Sequence, residues 1–333
     1  MSENLDLSHD QINAFLKHYE IFEPVINVDA GAFGNVNANY AIQTQTRRLV
    51  LQRVGRKKNL DQLRLSSHVA NTLYARDFLT PYFHLTDQGD PFIELDGEQF
   101  RLMSYVSDAV MDERPSVSDA LRIVALAEDL HETLNRYFRY VDEGDRRYMT
   151  AYQDQPDFIV KAAFERRDLS AKTIERNESV RAFLAPEFDQ QIRMRHCHGD
   201  IKFGNVIVTP RRIGLLDFEN YNVQEWGWEI GDALRSWFSD QRDEVTWSIR
   251  TDAFEAFLQQ QPWFTKRDAV LHTLRTTAKL LVHLYTDRED GRYYFSSENQ
   301  VTRLEKVDVL ISRHETFMPA LLSFARERGY IEG

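Results

Sequence analysis

Residues 194–208 read MRHCHGDIKFGNVIV, and residues 214–220 read GLLDFEN. Here short apolar runs at strand spacing alternate with a loop of His, Asp, Lys and Asn around glycines. The stretch is set within sequence otherwise patterned for helices. A packed core excludes such a mixture unless every polar group is paired, and a simple turn does not require so many of them. The chain must therefore adopt a fold that carries a small β island and a polar loop inside a helical region. Residues 206–217, VIVTPRRIGLLD, read as two short strands about a Pro-containing turn. A hairpin of that length returns Asp217 to the side of Asn205, with Asp200 facing a substrate. Oxygen donors of this kind suit Mg²⁺.

The island divides two differently patterned parts. From about residue 22 to 54 the chain is strand-like: NVNANYAIQT (35–44) alternates, RRLVLQRV (47–54) is rich in Leu and Val, and GAFG (31–34) marks a turn before them. Residues 59–75 read as a helix, and 91–95 and 99–106 as further strands. Beyond residue 107 helices dominate. One opens with Ser116 and Asp119 at capping-box spacing and carries Ile123, Leu126, Leu130 and Leu134. Others are expected over 229–238, 250–260, 267–286 and 298–328. This predicts a first lobe over 1–107 and a helical second lobe over 108–333, with a hinge near 106–116.

Bulk properties narrow the partners. At 333 residues and 39.1 kDa the chain is long enough for two lobes. A net charge of −11 without a Lys/Arg block argues against nucleic acid as a partner. No window approaches a membrane span, the N-terminus lacks a signal-peptide pattern, and the single Cys197 offers no internal disulfide. A cytoplasmic protein acting on a small molecule, as a monomer or homodimer, is the expectation.

Phosphoryl transfer needs a carboxylate near the attacking hydroxyl, ligands for Mg²⁺ and contacts to nucleotide phosphates. Asp200 is followed five positions later by Asn205, with Asp217 twelve further on. HGDIKFGN with LLDFE resembles the catalytic and metal-binding segments of the protein-kinase-like superfamily, H-x-D-x-x-x-x-N followed by D-F-x. The HGD form is similar to the aminoglycoside and choline phosphotransferase branch. The resemblance implies an α+β, two-lobed fold, with a small antiparallel sheet carrying one helix and a larger, mostly helical lobe. It implies ATP and Mg²⁺ as cofactors, Asp200 as catalytic base, Asn205 and Asp217 as metal ligands, and His198 orienting the loop. GDALR (231–235) is similar to the segment whose Asp braces that loop, which makes Asp232 a structural support. Fifteen positions between Asp217 and Asp232 leave little room for a protein kinase's activation segment, so a small acceptor is expected.

For the nucleotide, the resemblance implies contacts from the turn residues Gly31, Phe33 and Gly34, with Met103 and Lys202 in the same set. The third strand offers Gln52 and Arg53 where the superfamily has a Lys; alternation admits one of them, and charge favours Arg53. Residues 60–75 contain no Glu to pair with it.

GAFGNVNANY (31–40), LVLQRV (49–54), GDALR, YTDREDGRYYF (285–295) and NQVTRL (299–304) resemble the N-acetylhexosamine 1-kinase group. That resemblance implies phosphorylation of an amino sugar's anomeric hydroxyl, with Asn220, Tyr294 and Arg303 as substrate contacts. An aminoglycoside- or choline-type kinase and a nucleotide-binding pseudokinase are the alternatives. Trp226 and Trp228 fit either a pocket wall or the core, and Glu219 either a metal-side or a surface role. His196, Cys197 and His198 suggest a soft-metal site, but no fourth ligand of suitable kind lies nearby in sequence.

Overall fold

The computed structural model describes residues 7–30, 38–54, 60–95, 97–106, 116–137, 163–166, 168–190, 194–209, 211–240, 245–261, 263–290 and 300–332. The chain divides into two compact units. One comprises Met1–Ala109, Ile207–Glu219 and Tyr294–Glu298; the other comprises Val110–Val206, Asn220–Tyr293 and Asn299–Gly333.

The first unit is built on an antiparallel sheet of β1 (Val25–Ala30), β2 (Ala38–Thr44), β3 (Arg48–Val54), β4 (Phe92–Leu95) and β5 (Glu98–Ser104), in the order β1-β2-β3-β5-β4. Strand alternation sorts β3 into two faces. Leu49 and Leu51 join Phe100 and Leu102 of β5 in a core closed by α1 (His9–His18) through Ile12, Phe15 and Leu16. Val54 on the opposite face packs with Phe92 and with Leu63 of α2 (Leu60–Tyr74). Each fully buried Leu in these layers contributes about 1.5–3 kcal/mol. Sequence patterning anticipated α2 and the strands but not α1, whose start is a capping box of Ser8 and Gln11. The expected hairpin is present: β7 (Val206–Val208) pairs with β8 (Ile213–Leu215).

The second unit is mainly helical. Its helices include α3 (Val117–Tyr137), α4 (Ala171–Val180), α5 (Trp226–Phe238), α6 (Thr251–Gln260), α7 (Lys266–Asp290) and α8 (Gln300–Glu327). α3 opens as expected, with Ser116 Oγ accepting the Asp119 N–H at 3.1 Å. It buries Ile123, Leu130 and Leu134. α7 is the buried centre, and its Thr273 and Thr277 hydroxyls are satisfied by carbonyls four residues back. α5 approaches α7 at two glycines one turn apart. A Cβ on Gly227 would fall 2.0 Å from the His272 ring, and one on Gly231 2.3 Å from the His272 carbonyl oxygen. The β island here is a two-stranded pair, β6 (Met194–Cys197) with β9 (Asn222–Glu225). Among the described residues no helix is long and apolar enough to cross a membrane.

Candidate active site

The polar loop begins where β6 ends. Cys197 pairs with Asn222 in the β6–β9 register, and the chain then turns through Gly199 at φ +83°. A Cβ there would come 2.3 Å from the Asn220 carbonyl oxygen, so only glycine lets the loop lie against this neighbour. His198 is fully buried and its Nδ1 accepts the Asp200 N–H at 3.2 Å. Trp237 of α5 donates its indole N–H to the Ile201 carbonyl at 2.9 Å.

These contacts fix Asp200. Its Oδ2 takes a hydrogen bond from Asn205 Nδ2 at 3.0 Å and an ion pair from Lys202 Nζ at 2.6 Å. Asn205 Nδ2 also donates to the Asp200 carbonyl at 2.9 Å. The amide nitrogen is thereby committed to Asp200, and Oδ1 remains as the Asn205 oxygen suited to a hard cation. Lys202, expected among the nucleotide contacts, has its ammonium on Asp200.

Sequence reasoning missed the support beneath this loop. Glu229, 2% exposed, accepts the Gly199 N–H at 2.6 Å with one carboxylate oxygen and meets His131 Nε2 at 2.5 Å with the other. Asp232 was the expected brace. Its carboxylate, about a turn further along the helix than Glu229, pairs with Arg235 at 2.6 Å. Burial acts to raise the Asp232 carboxyl, but the Arg235 guanidinium outweighs it, with Lys202 and Lys279 adding to the effect, and holds it below the usual carboxylate range. The available signal was Glu229 itself, an acid within the apolar run WGWEIG.

The first unit carries the other oxygen donor. Asp217 stands two residues beyond β8 with φ +59°, a left-handed conformation that Asp tolerates better than most residues. Two residues on, Glu219 accepts Arg101 Nη2 at 2.6 Å, and Arg101 Nε donates to Gln52 Oε1 at 2.7 Å. Arg101 and Glu219 are both buried in this ion pair. Burial lowers the Arg101 guanidinium's affinity for its proton, and the charges of Glu219 and then Asp217 oppose that effect. Glu219 is therefore not on the surface. Of the two β3 candidates, Gln52 shares the face of Arg101, its cross-strand partner, whereas Arg53 alternates to the face of Leu51 and Phe100. Met103 is half-buried on β5.

Gly31, Phe33, Gly34 and Tyr294 lie outside the described residues, as does the Arg303 side chain on α8. Asn220 contributes its backbone against Gly199, and its carbonyl also accepts Asn222 Nδ2 at 3.0 Å. Trp226 packs into an aromatic group with His131, Trp263 and Phe264, and Trp228 is buried beneath Arg275 and Lys279. Both are packing residues. His196 Nδ1 bonds the Tyr221 hydroxyl at 2.7 Å, and burial raises the Cys197 thiol pKa well above its usual value. Cys197 clusters with His131 and Glu229, not with its neighbouring histidines, because alternation turns it to the other side of β6. In the second unit the Asn205 amide oxygen is a hard donor beside Asp200, and in the first unit the Asp217 carboxylate is another; oxygens of this kind suit Mg²⁺.

The chain resembles a spectinomycin phosphotransferase, APH(9)-Ia, solved with ADP and spectinomycin, at 13% identity and TM-score 0.58, covering 98% of this chain and 100% of that one. An aminoglycoside phosphotransferase from Alicyclobacillus acidocaldarius matches at 14% identity and TM-score 0.54, over 95% and 96% of the two chains. The choline kinase LicA from Streptococcus pneumoniae matches at 15% and 0.51, over 92% and 100%. No curated protein matches in sequence. These likenesses establish a protein-kinase-like fold. The sequence profile of the phosphotransferase enzyme family, APH, matches residues 31–258, more than half of the chain, and the protein belongs to that family.

Proposed function

We propose that the protein uses Mg²⁺ and ATP to phosphorylate a hydroxyl of a small sugar, the anomeric hydroxyl of a hexosamine such as an N-acetylhexosamine. The observation that carries the reading is the Asp200 carboxylate, oriented by Asn205 Nδ2 and Lys202 Nζ at the end of a glycine turn. Asp200 accepts the acceptor's proton as the phosphoryl group moves, a contribution of about a hundred- to ten-thousand-fold in rate. Asn205 and Asp217 are the proposed metal ligands, and a bound Mg²⁺ would neutralise charge on the transferring phosphate. Lys202 keeps the carboxylate in place and adds positive charge beside the reacting oxygen.

The acceptor class rests on the segments that resemble the N-acetylhexosamine 1-kinase group, GAFGNVNANY, LVLQRV, GDALR, YTDREDGRYYF and NQVTRL. Amine-bearing acceptors such as spectinomycin, or choline with its quaternary ammonium, are the competing class, and they call for an acidic surround. The test is Mg²⁺-dependent ATP consumption against N-acetylhexosamines, neutral hexoses, aminoglycosides and choline, with phosphorus NMR of the product. A sugar 1-phosphate is the expected product. Turnover confined to amine-bearing acceptors rejects the sugar assignment and keeps the phosphotransferase; no turnover on any acceptor favours a nucleotide-binding pseudokinase.

A further inference from the structure

The superfamily resemblance implies a Lys on the third strand, paired with a Glu on the following helix, to hold the nucleotide phosphates. This chain has Gln52 at the strand position, and α2 contains no Glu. The structure has a different buried ion pair close by. Arg101 lies directly across the sheet from Gln52, so register places both side chains on one face. Gln52 Oε1 holds Nε at 2.7 Å, Glu219 Oε1 holds Nη2 at 2.6 Å, and the Phe83 ring lies 4.7 Å from the guanidinium carbon. These three neighbours fix the plane of the guanidinium.

The remaining nitrogen is the unusual feature. Arg101 is 2% exposed, and among the described residues its buried Nη1 has no hydrogen-bond partner. A buried charge is costly, and a buried donor left idle adds to that cost. If Arg101 served packing alone, an apolar residue would serve better. Its location points to another role: Glu219 is two residues from the proposed metal ligand Asp217, whose charge also acts on Arg101.

We propose that Arg101 is the cation that binds the nucleotide phosphates, with Nη1 as the donor and Glu219 and Gln52 as the residues that aim it. The Arg101–Glu219 pair thus stands in for the strand-lysine and helix-glutamate pair. The inference rests on the kinase reading above. An arginine so held offers a fixed donor to a phosphate oxygen, which a lysine on a flexible stem does not.

Binding tests this without turnover. The full-length protein is titrated calorimetrically with ADP and, separately, with adenosine, both in EDTA so that metal ligation does not enter. Wild type is expected to bind ADP at least tenfold more tightly than adenosine. Arg101→Met with Glu219→Gln removes the charges as a pair and leaves none stranded; ADP affinity should fall about ten- to thirtyfold with adenosine unchanged. Arg101→Lys retains a buried cation opposite Glu219 should the double variant fail to fold, and is expected to lose about fivefold for ADP alone. In whichever variant keeps the wild-type circular dichroism spectrum, an unchanged ratio of ADP to adenosine affinity overturns the proposal. Parallel loss of both ligands shows a structural role only and overturns it too. Wild type binding neither ligand overturns the kinase reading and this inference with it, whereas wild-type ADP binding that survives in the variants overturns this inference alone.

Discussion

Glu229 takes the Gly199 N–H at 2.6 Å on one oxygen and His131 Nε2 at 2.5 Å on the other, so a single buried carboxylate ties α3 and α5 to the turn that carries Asp200. Removing it leaves an unsatisfied backbone donor and an unpaired imidazole in the interior. Glu229→Ala should cost about 3 kcal/mol in urea unfolding, with a larger fractional loss of turnover than of nucleotide affinity. Glu229→Gln retains an acceptor for Gly199 and should lose about 1 kcal/mol.

Gly199→Ala should be damaging although only a methyl group is added. The left-handed φ of +83° and the 2.3 Å approach to the Asn220 carbonyl act together. Backbone strain alone is worth about 1–3 kcal/mol, and the loop must also move off Asn220. A thermal melt should show the destabilisation, and turnover should fall because Asp200 is the next residue.

Asp217 illustrates a conflict between stability and chemistry. A non-glycine residue at φ +59° carries a strain of about 1 kcal/mol that glycine would not. Asp217→Gly should relieve that strain but lose the Asp217 charge that acts on Arg101, so stability by denaturant titration should stay within about 1 kcal/mol of wild type, while Mg²⁺-dependent turnover is lost. A clear loss of stability would show that the Asp217 side chain is structurally required.

What was legible in the sequence follows from how local the signals are. Spacing within one segment gave the β7–β8 hairpin and the capped start of α3, and it is spacing within one segment that singles out His198, Asp200, Asn205 and Asp217 as candidates. Relations across the chain were not legible. Arg101 meets Glu219 over a separation of 118 residues and His131 meets Glu229 over 98, and no periodicity reports such pairs. Between Gln52 and Arg53, charge alone gives no view of the strand partner; the register sets Gln52 opposite Arg101 and Arg53 opposite Phe100. The match of GDALR points to Asp232 and gives no sign of Glu229, which accepts the Gly199 N–H from the preceding turn of α5.

Acidification should destabilise the protein through buried histidines. Burial first, then nearby Arg275, lowers His272 to about 3; burial first, then Arg235, does the same for His314. His314 is held neutral: Arg235 Nη1 donates to its Nε2 at 2.9 Å, and its Nδ1–H donates to the Leu310 carbonyl at 2.6 Å. In the unfolded chain both titrate near 6.5. Below that pH the unfolded state binds protons that the folded state refuses, so these groups' contribution is full above pH 6.5 and is lost as pH falls towards 3. Each histidine should add up to about 1.4 kcal/mol per pH unit to the slope. Urea unfolding at several pH values should show it, and His314→Gln should lower the slope by about one proton.

If Asp200 accepts the proton of the incoming hydroxyl, the kcat of Asp200→Asn with the best acceptor from the panel should fall about a hundred- to ten-thousand-fold, with ADP affinity within about threefold of wild type. A kcat within a few-fold of wild type would contradict it.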